Sequence, residues 1–115
     1  MSLNAYRSVM NQAGSGRSVE HRALATITAR LIKARDGEMA GAPLVEALHA
    51  NRQLWDIFAT DCASAGNSLP AQLRAQIISV AIFVNRYSSD VAQGRGDIND
   101  LIEINRNIMG GLVAA

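Results

Sequence analysis

The sequence predicts an all-α protein, a small antiparallel helical bundle of four main helices preceded by a short N-terminal helix. Apolar residues recur at steps of three and four along four long segments, and glycine or proline separates each segment from the next. No segment reads as a β-hairpin. The 115 residues, 49% of them hydrophobic, suit a single helical domain with its own core. We expect residues 18–112 to form the bundle, and residues 1–16 to form the short helix and a Gly/Ser linker.

The short N-terminal helix and the first main helix are predicted from an amphipathic opening and the breaker at residues 14–18. Ser18 is the expected N-cap of the first main helix, with Glu20 in its first turn. Glycines and a proline in residues 37–43 are expected to end this helix. The apolar positions are Leu3, Tyr6, Val9 and Met10 in the short helix, and Leu24, Ile27, Leu31 and Ile32 in the main one.

The second main helix is predicted to open at Pro43, since proline suits the first turn of a helix. Gly66 is its expected C-cap. Pro70 begins the third, where β-branched residues would also suit a strand. Unbroken helical spacing favours a helix, and apolar residues on all sides of its middle predict the most buried one. The two stripes are Leu44, Leu48, Asn51, Trp55, Phe58 and Cys62, then Leu73, Ile77, Val80, Val84, Tyr87 and Val91.

The last helix is predicted to follow the sequence GRGD at residues 94–97, in which the glycines stop the third helix and Asp97 caps the fourth. Its stripe runs through Ile98, Leu101, Asn105, Ile108 and Leu112. Gly110 and Gly111 are expected to adopt the left-handed conformation that ends a helix.

Composition and charge point away from several functions. The net charge of +1 indicates neither nucleic acid nor an acidic membrane as a partner. The single cysteine, Cys62, fits a reducing cytosol and is interpreted as a small buried hydrophobe. The first ten residues show no signal peptide, and the longest apolar run, residues 80–84, falls far short of the roughly 20 residues that cross a membrane. We expect a cytoplasmic protein without membrane insertion.

No catalytic constellation is recognisable in the sequence. His21 and His49 fall on the polar sides of different helices. The sequence has no HExxH, CxxC or phosphate-binding glycine loop. We therefore expect a non-enzymatic protein without metal or cofactor. The four cations Arg22, Arg30, Lys33 and Arg35 favour a solvated helix face over an RNA surface.

Three asparagines, Asn51, Asn85 and Asn105, fall within or beside apolar stripes of different helices. A buried amide costs about 1–3 kcal/mol for each group left unpaired. Two interpretations stay open: an internal network that fixes helix register, or amides that bond to a partner. Trp55 presents the same choice between core residue and binding hot spot.

The segment NRQLWDIFATDCASAGNSLPAQLRAQIISVAIFV, followed by LIEINRNIMGGL, resembles the FlaF family of flagellar biosynthesis regulators of alphaproteobacteria. The landmarks are Asn51, Leu54 and Trp55, then Asn67, Leu69, Pro70, Leu73, Arg74 and Ala75, and finally Ile104, Asn105, Ile108, Met109, Gly110, Gly111 and Leu112. The resemblance covers roughly residues 3–112. It implies a cytosolic protein needed for flagellin production and export, similar to a flagellin secretion chaperone and working alongside FlbT, a regulator of flagellin mRNA translation.

The resemblance predicts that the protein binds the terminal segments of flagellin, which are disordered in the monomer and helical in the filament. The residues expected to form or support the contact are Leu48, Asn51, Trp55, Asn105, Ile108 and Met109. Leu3, Tyr6, Val9 and Met10 are expected to cover the groove when flagellin is absent. The alternatives are a post-transcriptional regulator acting on flagellin mRNA, alone or with FlbT, and a dimerisation module. The sequence leaves open the oligomeric state and the end of flagellin that is bound.

Overall fold

Four helices make up the part of the chain that the computed structural model describes, residues 16–114 with side chains for residues 19–113. They are α1 (Gly16–Asp36), α2 (Ala42–Cys62), α3 (Ala71–Ala92) and α4 (Ile98–Ala114), and no strand occurs among these residues. The predicted helical bundle is confirmed. The predicted short N-terminal helix, with Leu3, Tyr6, Val9 and Met10, lies outside the described residues.

Neighbouring helices run antiparallel, as side-chain contacts show. Arg35 at the end of α1 meets Asn99 at the start of α4, whereas Thr28 earlier in α1 meets Asn105 later in α4. Likewise Tyr87, late in α3, bonds to Asp100, early in α4. The helices pack most extensively in the pairs α2–α3 and α1–α4, less between α1 and α2, and sparsely between α3 and α4.

The structure confirms the predicted stripes and several of the helix boundaries. Pro70 is the N-cap of α3, and the predicted helix there has formed in place of a strand. Gly94 lies just beyond the end of α3 and adopts a left-handed conformation, with a φ of 77°. The carboxylate of Asp97 accepts the backbone N–H of Asn99 at 2.9 Å, so it caps α4 as expected. The sequence GRGD is therefore a helix stop followed by a helix cap.

Two predicted caps are wrong. Gly66 lies beyond the end of α2, whose C-cap is Ala63 in a right-handed helical conformation. The Ala63 N–H bonds to the Ala59 carbonyl at 3.1 Å, so the last turn is satisfied by its own backbone and needs no left-handed glycine. Similarly, α1 begins at Gly16, which places Ser18 inside the helix, within the one or two residues by which helix ends vary.

The predicted helix end at Gly110 and Gly111 is also wrong, because α4 continues to Ala114. The reason is Leu112, which is only 2% exposed and extends the apolar stripe into the core. Burying a leucine contributes about 1.5–3 kcal/mol. That gain offsets much of the roughly 1 kcal/mol that each glycine costs within a helix.

The middle of α3 is less buried than predicted. Ile82 is 59% exposed and Phe83 is 48% exposed. Because α3 packs mainly on α2 and only sparsely on α4, one side of its apolar middle faces solvent. Among the described residues, the largest side chain with no exposure is Trp55, on α2.

Replacing Gly110 by alanine is expected to raise the free energy of unfolding by about 0.5–1 kcal/mol, because alanine is the better helix former. A Cβ there meets no atom within 4 Å. Gly94→Ala is the matched control: its φ of 77° disfavours any side chain, so stability should fall by about 1 kcal/mol or more. Urea denaturation measures the free energy of unfolding of both variants. A loss of stability in Gly110→Ala would contradict the helical conformation of Gly110 and support a helix end there.

Candidate partner-binding site

The centre of the bundle contains a hydrogen-bonded polar cluster. The amide nitrogen of Asn105 donates to Asn51 Oδ1 at 2.8 Å and to Thr28 Oγ1 at 3.0 Å. Its amide oxygen accepts the indole N–H of Trp55 at 2.9 Å. Asn51, Trp55 and Asn105 have no exposed surface. We call these four residues the polar cluster; it ties α4 to both α1 and α2.

Of the two interpretations of the buried asparagines, the internal network holds for Asn51 and Asn105, which bond to each other inside the protein. Thr28 was not singled out from the sequence, although it stands at helical spacing between Leu24 and Leu31. A polar residue in that position is the same signal that identified the asparagines. The Asn51 Nδ2 is buried without a hydrogen-bond partner among the described residues, so the cluster is not fully satisfied.

Asn85, the third asparagine, lies outside the polar cluster. It accepts a hydrogen bond from Arg52 Nε at 3.1 Å and donates to Asp56 Oδ1 at 2.9 Å. These bonds link α3 to α2 near the surface. Asn85 therefore joins the two helices from the outside and has no part in the central cluster.

The six residues predicted to form or support a partner contact lie mostly in the interior. Leu48 and Ile108 are buried with the polar cluster residues Asn51, Trp55 and Asn105. Met109 is half-buried and packs against the core. The structure thus places five of the six beneath the surface, where they can support a binding site. Their role toward a partner remains a prediction.

An open apolar groove of about 380 Å³ lies between α1 and α2. It extends over some two turns of each helix, about 10 Å. Its lining is Ala23, Thr26, Ile27 and Arg30 on α1, and Ala50, Gln53, Leu54 and Ile57 on α2. Sequence reasoning missed it, because the gap arises where small residues of two helices face each other. The alanines within otherwise amphipathic segments were the available signal.

The polar cluster sets the spacing of the two helices that form the groove. Thr28 immediately follows Ile27 of the groove, and Asn51 immediately follows Ala50. Successive positions of a helix point in different directions, so the same turns contribute to the interior and to the groove. The bonds from Asn105 to Thr28 and Asn51 therefore hold both groove walls in one register.

A second cavity of about 340 Å³ lies where α1 ends and α4 begins. There Arg35 donates to Asp36 Oδ1 and to Asn99 Oδ1, each at 3.0 Å. Arg35 thus faces α4, away from the groove. The four cations considered as an RNA surface do not share one face.

The thiol of Cys62 is buried among acidic side chains. Its pKa is raised from 9.0 to about 12, first by burial and then by the negative charges of Glu20 and Asp61, while the positive charge of Arg74 partly opposes the rise. The nucleophilic thiolate is disfavoured at neutral pH. The interpretation of Cys62 as a buried residue is confirmed.

Within residues 16–114, no cluster of three or more His, Cys, Asp or Glu side chains is placed to hold a metal ion. His49 is exposed on α2 and His21 is half-buried on α1. No helix in the same part of the chain is both long and apolar enough to cross a membrane.

The fold and the groove define a small helical bundle with an open apolar groove on its surface. The family described as flagellar protein FlaF matches residues 2–112, nearly the whole chain. The chain therefore belongs to the FlaF family and is a flagellar protein. No curated protein and no solved structure matches it.

Asn105→Ala is expected to lower the free energy of unfolding by roughly 2–6 kcal/mol, because it leaves the Trp55 indole N–H and the Asn51 side-chain oxygen unpaired at about 1–3 kcal/mol each. In a double-mutant cycle with Asn51→Ala, the two losses should fall short of additivity by about 0.5–3 kcal/mol. Asn85→Ala with Asn105→Ala is the control pair and should be additive. Chemical denaturation of the six proteins tests this, and additive losses for Asn51 and Asn105 would contradict a shared network.

The raised pKa of Cys62 predicts protection of the thiol and a pH dependence of stability. A thiol reagent at pH 8 should label Cys62 rapidly only after unfolding. Since the pKa is higher in the folded protein, the contribution to stability is fully present below about pH 9 and is lost as the pH rises toward 12. The difference in unfolding free energy between wild type and Cys62→Ala should fall over that window. A difference that stays constant from pH 8 to 11, or rapid labelling of the folded protein, would contradict it.

Proposed function

We propose that this flagellar protein is a non-enzymatic cytoplasmic chaperone that binds an amphipathic terminal segment of flagellin in the α1–α2 groove. Covering the apolar face of that segment would keep the subunit unpolymerised and support its synthesis and secretion. The proposal is supported by membership of the FlaF family and by the shape and chemistry of the groove.

The observation that carries the proposal is the apolar floor of the groove. Ile27 on α1 and Leu54 and Ile57 on α2 line an open cleft about two helical turns long. An amphipathic helix docks into such a cleft with apolar side chains spaced at i, i+3 or i+4, and i+7. This spacing spans the same two turns, so one face of a bound helix can fill the groove.

The rigidity of the groove also supports this function. A cleft that must order itself on binding loses affinity to conformational entropy, whereas one already held in place does not. The hydrogen bonds of Asn105 to Thr28 and Asn51 hold the walls before a partner arrives. We propose that the predicted site residues of the interior act in this way, as support for the groove.

Filling the groove should weaken flagellin binding. Ala50→Trp places a large side chain over the floor and is expected to reduce affinity about tenfold or more, since it displaces at least one buried apolar side chain of the partner, a contribution of about 1.5–3 kcal/mol. Titration calorimetry with full-length flagellin and with each end truncated measures this and identifies the bound end.

Ile82→Glu is the control, since it removes an exposed apolar side chain on α3, a helix that contributes no residue to the lining of the groove. Circular dichroism verifies that both variants remain folded, and Gln53→Trp provides a second groove-filling variant from an exposed position. If Ile82→Glu abolishes binding and both tryptophan variants do not, the groove is not the flagellin site. If no form of flagellin is retained, the chaperone proposal fails.

A further inference from the structure

A row of positive charge runs along the α1 edge of the α1–α2 groove. Arg30 and Thr26 belong to the lining, and Arg22 and Lys33 lie on the same side of α1, one turn before Thr26 and almost one turn after Arg30. All four side chains are exposed. Because the steps are four, four and three residues, these side chains form a continuous row along the helix.

Among the described side chains, the cations of this row have no acidic partner. Within the described residues, Arg22, Arg30 and Lys33 form no ion pair, whereas three arginines elsewhere do. Those three pairs, all between side chains close in sequence, are Arg35–Asp36, Arg95–Asp90 and Arg106–Glu103. These three cations of α1 thus lie in one row, of which Arg30 lines the apolar groove.

The opposite wall adds no such charge along the groove. Between Ala50 and Ile57 of α2, the two charged side chains are Arg52 and Asp56, and both bond to Asn85 of α3. Gln53 is the polar residue of that wall. Glu46, the next acid on α2, is exposed one turn before Ala50. The groove therefore combines an apolar floor, one cationic edge and one largely neutral edge.

We infer that the groove selects amphipathic helices that carry carboxylates along one edge of their apolar stripe, and that this edge lies against α1. The inference rests on the proposed function, because it takes the ligand to be a helix in this groove. It adds the chemistry that the helix must have and the side on which its acids lie. Arg22 and Arg30 are about two helical turns apart, and Arg30 and Lys33 almost one turn, at 5.4 Å per turn. Acids about two turns and one turn apart along one edge of a bound helix match this spacing.

Two synthetic helical peptides of about 18 residues, five turns, test the inference without flagellin. Both have the same leucine stripe; one carries glutamates along one edge and the other lysines at the same positions. Fluorescence anisotropy should show that the full-length protein binds the glutamate peptide about tenfold more tightly at low salt, as expected from three partly screened pairs. At about 0.5 M salt the preference should fall to about threefold or less.

Variants of the cationic row locate the preference. The triple variant Arg22→Glu, Arg30→Glu, Lys33→Glu should favour the lysine peptide. Arg30→Glu alone should reduce the preference about threefold. Arg86→Glu, which changes another exposed arginine, on α3, should leave it unchanged. Arg30→Gln tests the same residue without reversing its charge and should give a smaller reduction.

Three results would overturn the inference: equal binding of the two peptides, a preference that survives the triple variant, or RNA binding through the same row. For the last, single-stranded RNA is the competing probe, and tighter binding of RNA than of the glutamate peptide, lost in the triple variant, would assign the row to phosphate. If flagellin is retained but the two peptides bind equally well, this inference fails and the proposed function stands. If the glutamate peptide is preferred but no form of flagellin is retained, the proposed function fails and the charge preference of the groove stands.

Discussion

The side-chain amide of Asn105 is the interaction on which the arrangement of the bundle depends. It makes three hydrogen bonds, to Thr28, Asn51 and Trp55, in an interior where Asn51, Trp55 and Asn105 have no exposed surface. Apolar packing alone tolerates many small displacements of one helix along another, but these bonds do not. A shift of α1 or α2 by one turn would leave several polar groups buried and unpaired, each at a cost of about 1–3 kcal/mol. The register of three helices is therefore specified by one amide.

That constraint also explains how an open groove persists on the outside of the bundle. Small side chains at Ala23 and Ala50 leave space between α1 and α2, and helices that were free to move would tend to close such a gap to bury Ile27 and Ile57. The hydrogen bonds of the polar cluster fix the inner sides of the same two helices. Closure would require breaking them, so the apolar floor remains available to a partner.

The helices could be predicted from the sequence because the spacing of apolar residues reports directly which side of each helix is buried. The neighbours of that side could not. Asn105 belongs to the apolar stripe of its helix and Asn85 lies beside that of its own. The spacing alone did not show that Asn85 bonds to Arg52 and Asp56 near the surface while Asn105 lies at the centre. The groove was missed for the same reason, since it depends on how two helices face each other. The predicted helix end at Gly110 and Gly111 was wrong because the burial of Leu112 outweighed the local tendency of glycine to end a helix.

The structure separates the residues that stabilise the bundle from those that would select a ligand, although both sets occupy the same turns of α1 and α2. Thr28 and Asn51 point inward to Asn105, while Arg30 and Gln53, only two residues further along, line the groove. Exposed side chains such as these contribute little to folding, so their charge can change while the interior network stays intact. The chemistry of the groove edge is then free to match a particular partner helix, and the cost of holding that edge in place is met by residues that never touch it.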